Sequence, residues 1–262
     1  MKIIVSHDVD HLTWSEHFFT DLYVPKLAAR SLKLWLTGVI DAATFFRRIN
    51  CWSSNRMNRI EEVIALEKSM NITATYFFVM RKGLGVAYPA VNAKPVIQKL
   101  LKEGFSAGVH GMAYNDEKAM QEEFDTFKSI SGLDRFGIRM HYLRNDESTR
   151  NKLAAAGYAF DSTDYEIANP YRVNNMIEFP ISIMDVYSVR PEHKNMDIAR
   201  QYTLDKLDEA EKKKLPFFTI NFHDMLFDDG YVLYKEWFVW ILELCKQRGY
   251  EFSSFENAIK EL

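Results

Sequence analysis

The sequence predicts an α/β fold with a parallel sheet, either open or closed into a barrel. Two observations predict it. Short apolar runs alternate with stretches of helical periodicity. The runs are almost continuously apolar, as in strands buried on both faces. No internal repeat or low-complexity linker divides the 262 residues, so one domain spanning 1–262 is expected.

The elements follow in order. KIIVSH (2–7) is the first strand. Residues 12–57 break the alternation and read as an inserted pair of helices, with Trp14, Phe18, Phe19, Leu32, Leu34, Trp35, Leu36, Phe45, Phe46 and Trp52. This insertion is either extra core or a cap over a site, and the burial tendency of large rings favours core for most of them. Asn58 and Glu61 have capping-box spacing before a helix striped by Ile60, Val63 and Ile64 that runs to Asn71. TATYFFVM (73–80) is a β-branched and aromatic strand. Val96, Ile97, Leu100 and Leu101 stripe a helix stopped by Gly104. FSAGVH (105–110) is the next strand, followed by a helix on Met120, Phe124, Phe127 and Ile130. FGIRM (136–140) precedes a helix over 147–156 that ends at Gly157. YAFDS (158–162) and MIEFPI (176–181) are weaker strands, and RPEHKN (190–195) is a loop with His193 at the surface. Leu204, Leu207 and Ala210 mark a helix bounded by Pro216, and FFTINFH (217–223) is a strand. Leu233, Trp237, Trp240, Ile241 and Leu244 stripe the last long helix, and YEFSSF (250–255) is the last strand.

Composition narrows the function. With 33 basic and 36 acidic residues, net −3, no basic field exists to attract nucleic acid. Cys51 and Cys245 form neither a metal pair in sequence nor a disulfide framework, and Cys245 continues an apolar helix face. No run approaches the roughly 20 apolar residues of a membrane span. No secretory pattern opens the sequence, so a cytoplasmic protein is expected. The 19 Phe, 13 Tyr and 5 Trp could supply carbohydrate platforms, although cores consume most such rings.

Ionisable residues collect at strand ends. The first strand runs into His7, Asp8, Asp10 and His11; others end at His110, at Arg139-Met140-His141, and at His223-Asp224. In a parallel sheet or barrel these ends share one face, so four distant segments converge. A single histidine so placed is commonly a buried core residue; four such placements are a functional signal. Asp10, His110 and His223 are candidate ligands for a divalent metal, a carboxylate–imidazole set that suits zinc with an open position. Asp8 shares a strand face with Asp10, so one can hold metal while the other faces substrate as a base. Two carboxylates beside an apolar strand are too costly to bury without metal or arginine.

These segments, in this order, resemble the polysaccharide deacetylase family of metal-dependent carbohydrate N-deacetylases. SHDVD is similar to the family's first motif, NITATYFFVM to its second strand, and FSAGVHG to the stretch with the metal-binding histidine. GIRMHY is similar to the arginine motif, AGYAFDST to the following strand with its Asp-Ser, and INFHD to the last motif. The resemblance implies a distorted (β/α)7-type barrel, with the helical insertion after the first strand. It implies Asp8 as catalytic base, Asp10 and His110 as metal ligands, Arg139 orienting Asp8, and His223 as general acid. It also implies that Asp161 orients an imidazole, and that a backbone N–H near Met140 or His141 holds the oxyanion. The expected activity is removal of an acetyl group from an N-acetylated sugar, with a carbohydrate as partner. A surface-polysaccharide precursor would suit a cytoplasmic setting.

The chain departs from the family pattern at Tyr114, where a second histidine four residues after the first is usual. His11, Asp116, His141 and His223 are candidates to replace it. His141 itself stands where proline often follows the arginine. The departure keeps two alternatives open: a non-catalytic or repurposed glycan-binding protein, and an amide hydrolase acting on a small non-sugar substrate.

Overall fold

The computed structural model describes residues 1–18, 21–50, 53–190 and 195–262. The expectations for Phe19, Cys51, Trp52 and His193 fall outside them. In chain order the elements are β1 (Lys2–Val9), α1 (Tyr23–Leu36), α2 (Ala42–Arg48), α3 (Ile60–Ser69), β2 (Thr75–Val79), α4 (Ala90–Lys102) and β3 (Ser106–Gly111). Next come α5 (Glu117–Ser131), β4 (Ile138–Met140), α6 (Thr149–Ala156), β5 (Phe160–Asp161), β6 (Tyr171–Val173), β7 (Met176–Glu178), β8 (Ile181–Met184) and α7 (Asp185–Ser188). The last are α8 (Asp197–Lys212), β9 (Phe217–His223), α9 (Val232–Gln247), β10 (Glu251–Ser253) and α10 (Phe255–Glu261).

The strands lie in the order β6-β7-β5-β4-β3-β2-β1-β9-β8, with β10 paired to the start of β1. Only the β6–β7 pair is antiparallel among the paired strands. β7 and β8 stand near opposite ends of this order, yet only Phe179 and Pro180 separate them. Three Cα steps reach at most about 11 Å, so the two ends of the sheet must meet. They are stitched by Tyr165, which bridges to Ile181, and by the Ile181 amide donating to the Asp164 carbonyl at 2.7 Å. The result is the distorted (β/α) barrel.

The near-continuous apolarity of β1 has a two-sided cause. Ile3, Val5 and Val9 pack into the main core under the surrounding helices. Ile4, on the other face, joins Phe77, Phe160, Phe179, Phe217 and Phe255 in a separate cluster inside the barrel. Gly137 lets the Phe160 ring reach this cluster, because a Cβ there would sit 2.3 Å from the ring. Continuing along the inward face, Ser6 and Asp8 follow Ile4. The interior is thus apolar at its base and polar at the carboxyl ends of the strands.

Four expectations need correction. Asn58 does not cap α3: its side-chain amide donates to the Leu12 carbonyl at 2.9 Å, and Asp224 instead accepts the Arg59 amide at 2.7 Å. MIEFPI is not one strand but the end of β7 and the start of β8, broken at Pro180, which lacks the N–H a ladder needs. β6 lies in a stretch with no strand reading. The insertion does form α1 and α2, but Trp14 and Phe45 are buried while Phe18, Trp35 and Phe46 are exposed. Core packing therefore does not account for most of its described rings.

Candidate active site

Register explains why the strand ends meet. Asp8 lies beside His223 across the β1–β9 pair, and His110 lies beside Arg139 across the β3–β4 pair. Asp8, Asp10, His110, Arg139, His141 and His223 come together at the carboxyl ends of the strands.

Asp10, His110 and His141 form a three-residue group able to hold a metal ion. Asp10 Oδ1 is 3.3 Å from His110 Nε2 and 3.4 Å from His141 Nδ1, and those two nitrogens are 3.0 Å apart. His110 Nδ1 donates to the Arg139 carbonyl at 3.0 Å, and His141 Nε2 to the Leu84 carbonyl at 3.2 Å. Carbonyls only accept, so each neutral ring has its proton on the far nitrogen. Two bare imidazole nitrogens then face one another and a buried carboxylate oxygen that has no hydrogen-bond partner. Three lone pairs crowded in a buried pocket repel unless a cation lies among them. Their spacing matches the edge, about 3.3 Å, of a tetrahedron with roughly 2.0–2.1 Å metal–ligand bonds. The residues therefore fit a divalent ion, and the backbone carbonyls supply the outer support that orients ligating histidines.

Asp8 is nearly fully buried and lies on an arginine. Arg139 spends all five N–H donors: on Asp8 Oδ1 at 3.0 Å, Asn221 Oδ1 at 2.7 Å, Ser6 Oγ at 2.8 Å, and Ser162 Oγ and O at 2.9 and 2.8 Å. Asn221 Nδ2 donates to Asp8 Oδ2 at 2.8 Å. Burial pushes the Asp8 carboxyl upward, but Arg139, with His110 and His223, outweighs it and holds Asp8 down at about 2.

His223 turns Nε2 toward both carboxylates, 3.8 Å from Asp8 Oδ2 and 3.9 Å from Asp10 Oδ2. It stands beside the three-residue group without being one of its members. Its Nδ1 donates to Asp185 Oδ1 at 2.9 Å, and Asp185 Oδ2 also accepts the His223 amide at 2.6 Å. Burial opposes the charge on His223, but Asp185, then Asp10 and Asp8, raise it to about 10.

Asp161 does not orient an imidazole here. Its Oδ1 accepts from the Thr163 hydroxyl at 2.5 Å, and its other partner is Glu178, which takes the amides of Thr163 and Asp164 at 3.0 and 2.9 Å. Burial raises both carboxyls, Glu178 well above its usual range, and its charged neighbour Asp161 raises it further. The folded pair thus keeps a proton that the unfolded chain releases above about pH 4.5. Stability is expected to fall as pH rises above that point. Glu178→Gln, whose amide can donate to Asp161, should flatten this dependence. Urea midpoints of both proteins at pH 5 and pH 8 check it; equal slopes would show that the pair shares no proton.

The remaining candidates lie elsewhere. Asp116 caps α5, accepting the Ala119 amide at 3.1 Å. Tyr114 packs its ring 5.1 Å from the Arg144 guanidinium. The Met140 amide is taken by Thr163 Oγ1 at 3.0 Å, so it is not open to an oxyanion. His11 enters a relay that sequence reasoning missed: its Nδ1 meets His17 Nε2 at 2.9 Å, and His17 Nδ1 meets Asp21 Oδ2 at 2.8 Å. Asp21 fixes the proton of His17 on Nδ1, which places that of His11 on Nδ1 and leaves its Nε2 bare. Burial pushes the His11 pKa down to about 3. Asp185 was also missed, because the strand it follows was merged with β7.

A cavity of about 700 Å³ opens over these groups. It is lined by Asp10, His11, His141 and His223, by Tyr23, Arg30, Ser31 and Arg48 of the insertion, and by Tyr231 and Tyr234. Tyr142, which lines it, and the next residue, Leu143, are consecutive non-glycine residues with φ of 56° and 53°. This is strained backbone of the kind found at functional sites.

No family model and no curated protein matches the sequence. Solved structures match the fold. A Mycobacterium smegmatis protein assigned as a polysaccharide deacetylase shares 14% identity at a TM-score of 0.64, over 99% of this chain and 90% of that one. One from Pseudomonas aeruginosa PAO1, with the same assignment, shares 14% at 0.62, over 99% and 89%. A Bacillus anthracis CE4-family pseudoenzyme shares 9% at 0.51, over 98% and 65%. The chain has the polysaccharide deacetylase fold. Among the described residues no helix is long and apolar enough to cross a membrane.

Proposed function

We propose that the chain is a divergent polysaccharide deacetylase, a single-domain metal-dependent hydrolase that removes the acetyl group from an N-acetylated sugar. The observation that carries this reading is the buried triangle of bare ligand atoms on Asp10, His110 and His141, beside an Asp8 held ionised by Arg139. The triangle repairs the departure at Tyr114: the missing imidazole comes from His141, in the turn after the neighbouring strand β4. An N₂O donor set of this kind suits zinc. When bound, such an ion polarises the amide carbonyl and acidifies water. Asp8 takes the proton of the attacking water at a carboxylate oxygen. Arg139 and Asn221 keep that carboxylate ionised and aimed. His223, charged and fixed by Asp185, gives its Nε2 proton to the leaving amine. The insertion caps the site.

Asp8→Asn is expected to lower acetate release from N-acetylated oligosaccharides by at least about 100-fold, the range of a lost general base. Metal content after dialysis should stay unchanged. Full activity in this variant would remove Asp8 from the reaction. Asp185→Asn should lower kcat about 100-fold with little change in KM, because it removes the group that keeps the proton on His223.

The second reading, a glycan-binding protein without turnover, draws on Tyr114 and on the pseudoenzyme among the fold neighbours. It predicts glycan binding, no acetate release, and metal lost on dialysis.

A further inference from the structure

The wall of the cavity built by the insertion has a charge that the reaction above does not use. Residues 22–50 hold five basic side chains and one acidic one; of these, Arg30 and Arg48 line the cavity and Asp41 does not. Arg48 is 8% exposed, and among the described residues no carboxylate pairs with it. Its Nε donates to the Gly230 carbonyl at 2.7 Å and its guanidinium lies 4.6 Å over the Tyr231 ring. Among the described residues its two terminal nitrogens have no hydrogen-bond partner. The nearby Asp228 is committed to Arg59 and to the Gly230 amide. Arg30, which lines the same cavity, also has neither hydrogen bond nor ion pair among the described residues. Ser31 beside it is 1% exposed, with an Oγ that has no partner.

A buried arginine is costly without an anion, and stacking on one ring offsets only part of that cost. The free edge of Arg48 presents two parallel donors, the arrangement that grips phosphate and carboxylate oxygens. We propose that Arg48, Arg30 and Ser31 form an anion subsite for the phosphate of a phosphate-linked N-acetylated sugar. The sugar of that substrate rests on the reading above; the phosphate does not. A phosphate there would neutralise the wall while the sugar extends toward Asp10 and His223 across the one cavity.

The test is calorimetric binding of N-acetylglucosamine and N-acetylglucosamine 1-phosphate to the metal-loaded protein. The phosphate should tighten binding about tenfold or more, the value of one or two charge-assisted hydrogen bonds. Arg48→Gln should abolish that preference and Arg30→Gln reduce it, while Asp10→Asn keeps it, which excludes phosphate sitting on the ion. Arg30 is exposed, with no hydrogen bond or ion pair among the described residues, so its variant remains informative if Arg48→Gln misfolds. An unchanged preference in both arginine variants overturns the subsite, as does equal binding of the two sugars. N-acetylneuraminate binding as tightly as the phosphate sugar would overturn the phosphate assignment. A preference without acetate release from any sugar would keep the subsite and end the hydrolase reading. A nucleotide diphosphate sugar and a polyprenyl diphosphate sugar in detergent, compared against the free sugar phosphate, show which carrier the cavity accepts.

Discussion

His141→Ala is expected to weaken zinc binding by about 100-fold or more, at or beyond the upper end of the roughly 10- to 100-fold seen when only an outer-shell partner is lost. The reason lies in the triangle: His141 Nδ1 is 3.0 Å from His110 Nε2 and 3.4 Å from Asp10 Oδ1. Without it, two protein ligands remain, one fewer than catalytic zinc sites use. Tyr114→Phe is the matched control and should bind zinc as the parent does. Titration against a chromogenic zinc chelator measures both. Retention of parental affinity in His141→Ala would show that the third ligand is another residue, and His223 would be the next to replace.

Arg139→Met should destabilise the fold by about 3–5 kcal/mol, the cost of stripping one partner from a buried charge pair. All five N–H donors are used, and Asp8, Asn221, Ser6 and Ser162 each lose a partner at once. The effect has a signed pH dependence. In the parent, Asp8 is held at about 2, so its contribution is present above the unfolded value near 3.8 and is lost as pH falls through 2. In the variant the unpaired buried carboxylate takes up a proton at higher pH. The gap between the two proteins should therefore be widest near pH 7 and narrow toward pH 4. Adding Asp8→Asn to the variant should recover part of the loss. Denaturant midpoints across this range test both statements; a gap that does not change with pH would mean that the arginine acts by packing alone.

Much of this site can be read in the sequence because a two-faced strand announces itself by continuous apolarity and then stops at ionisable residues. Asp8, Asp10, His110, Arg139 and His223 all follow that rule. His141 is visible by the same rule, although nothing in sequence ranks it above His11 or Asp116, since the ranking depends on the β3–β4 register. Asp185 is hidden for a local reason: Pro180 divides two very short strands whose letters run together, so the end of β8 is not marked. The Asp21–His17–His11 relay is hidden because its members lie between β1 and α1, where no strand or α-helical periodicity marks them. The exposed rings of α1 and α2 defeat a burial argument because their surroundings, and not their hydrophobicity, set their exposure.

Under the proposed function one imidazole comes from β3 and the other from the turn after β4, and this has an evolutionary corollary. The segment after β3 that includes Tyr114 then has no ligand to present, so selection for the ion does not hold its composition. Selection for the ion would fall on the turn after β4 instead, where Tyr142 and Leu143 already occupy backbone angles that few residues tolerate. Relatives that share this arrangement would vary at the first place and resist change at the second.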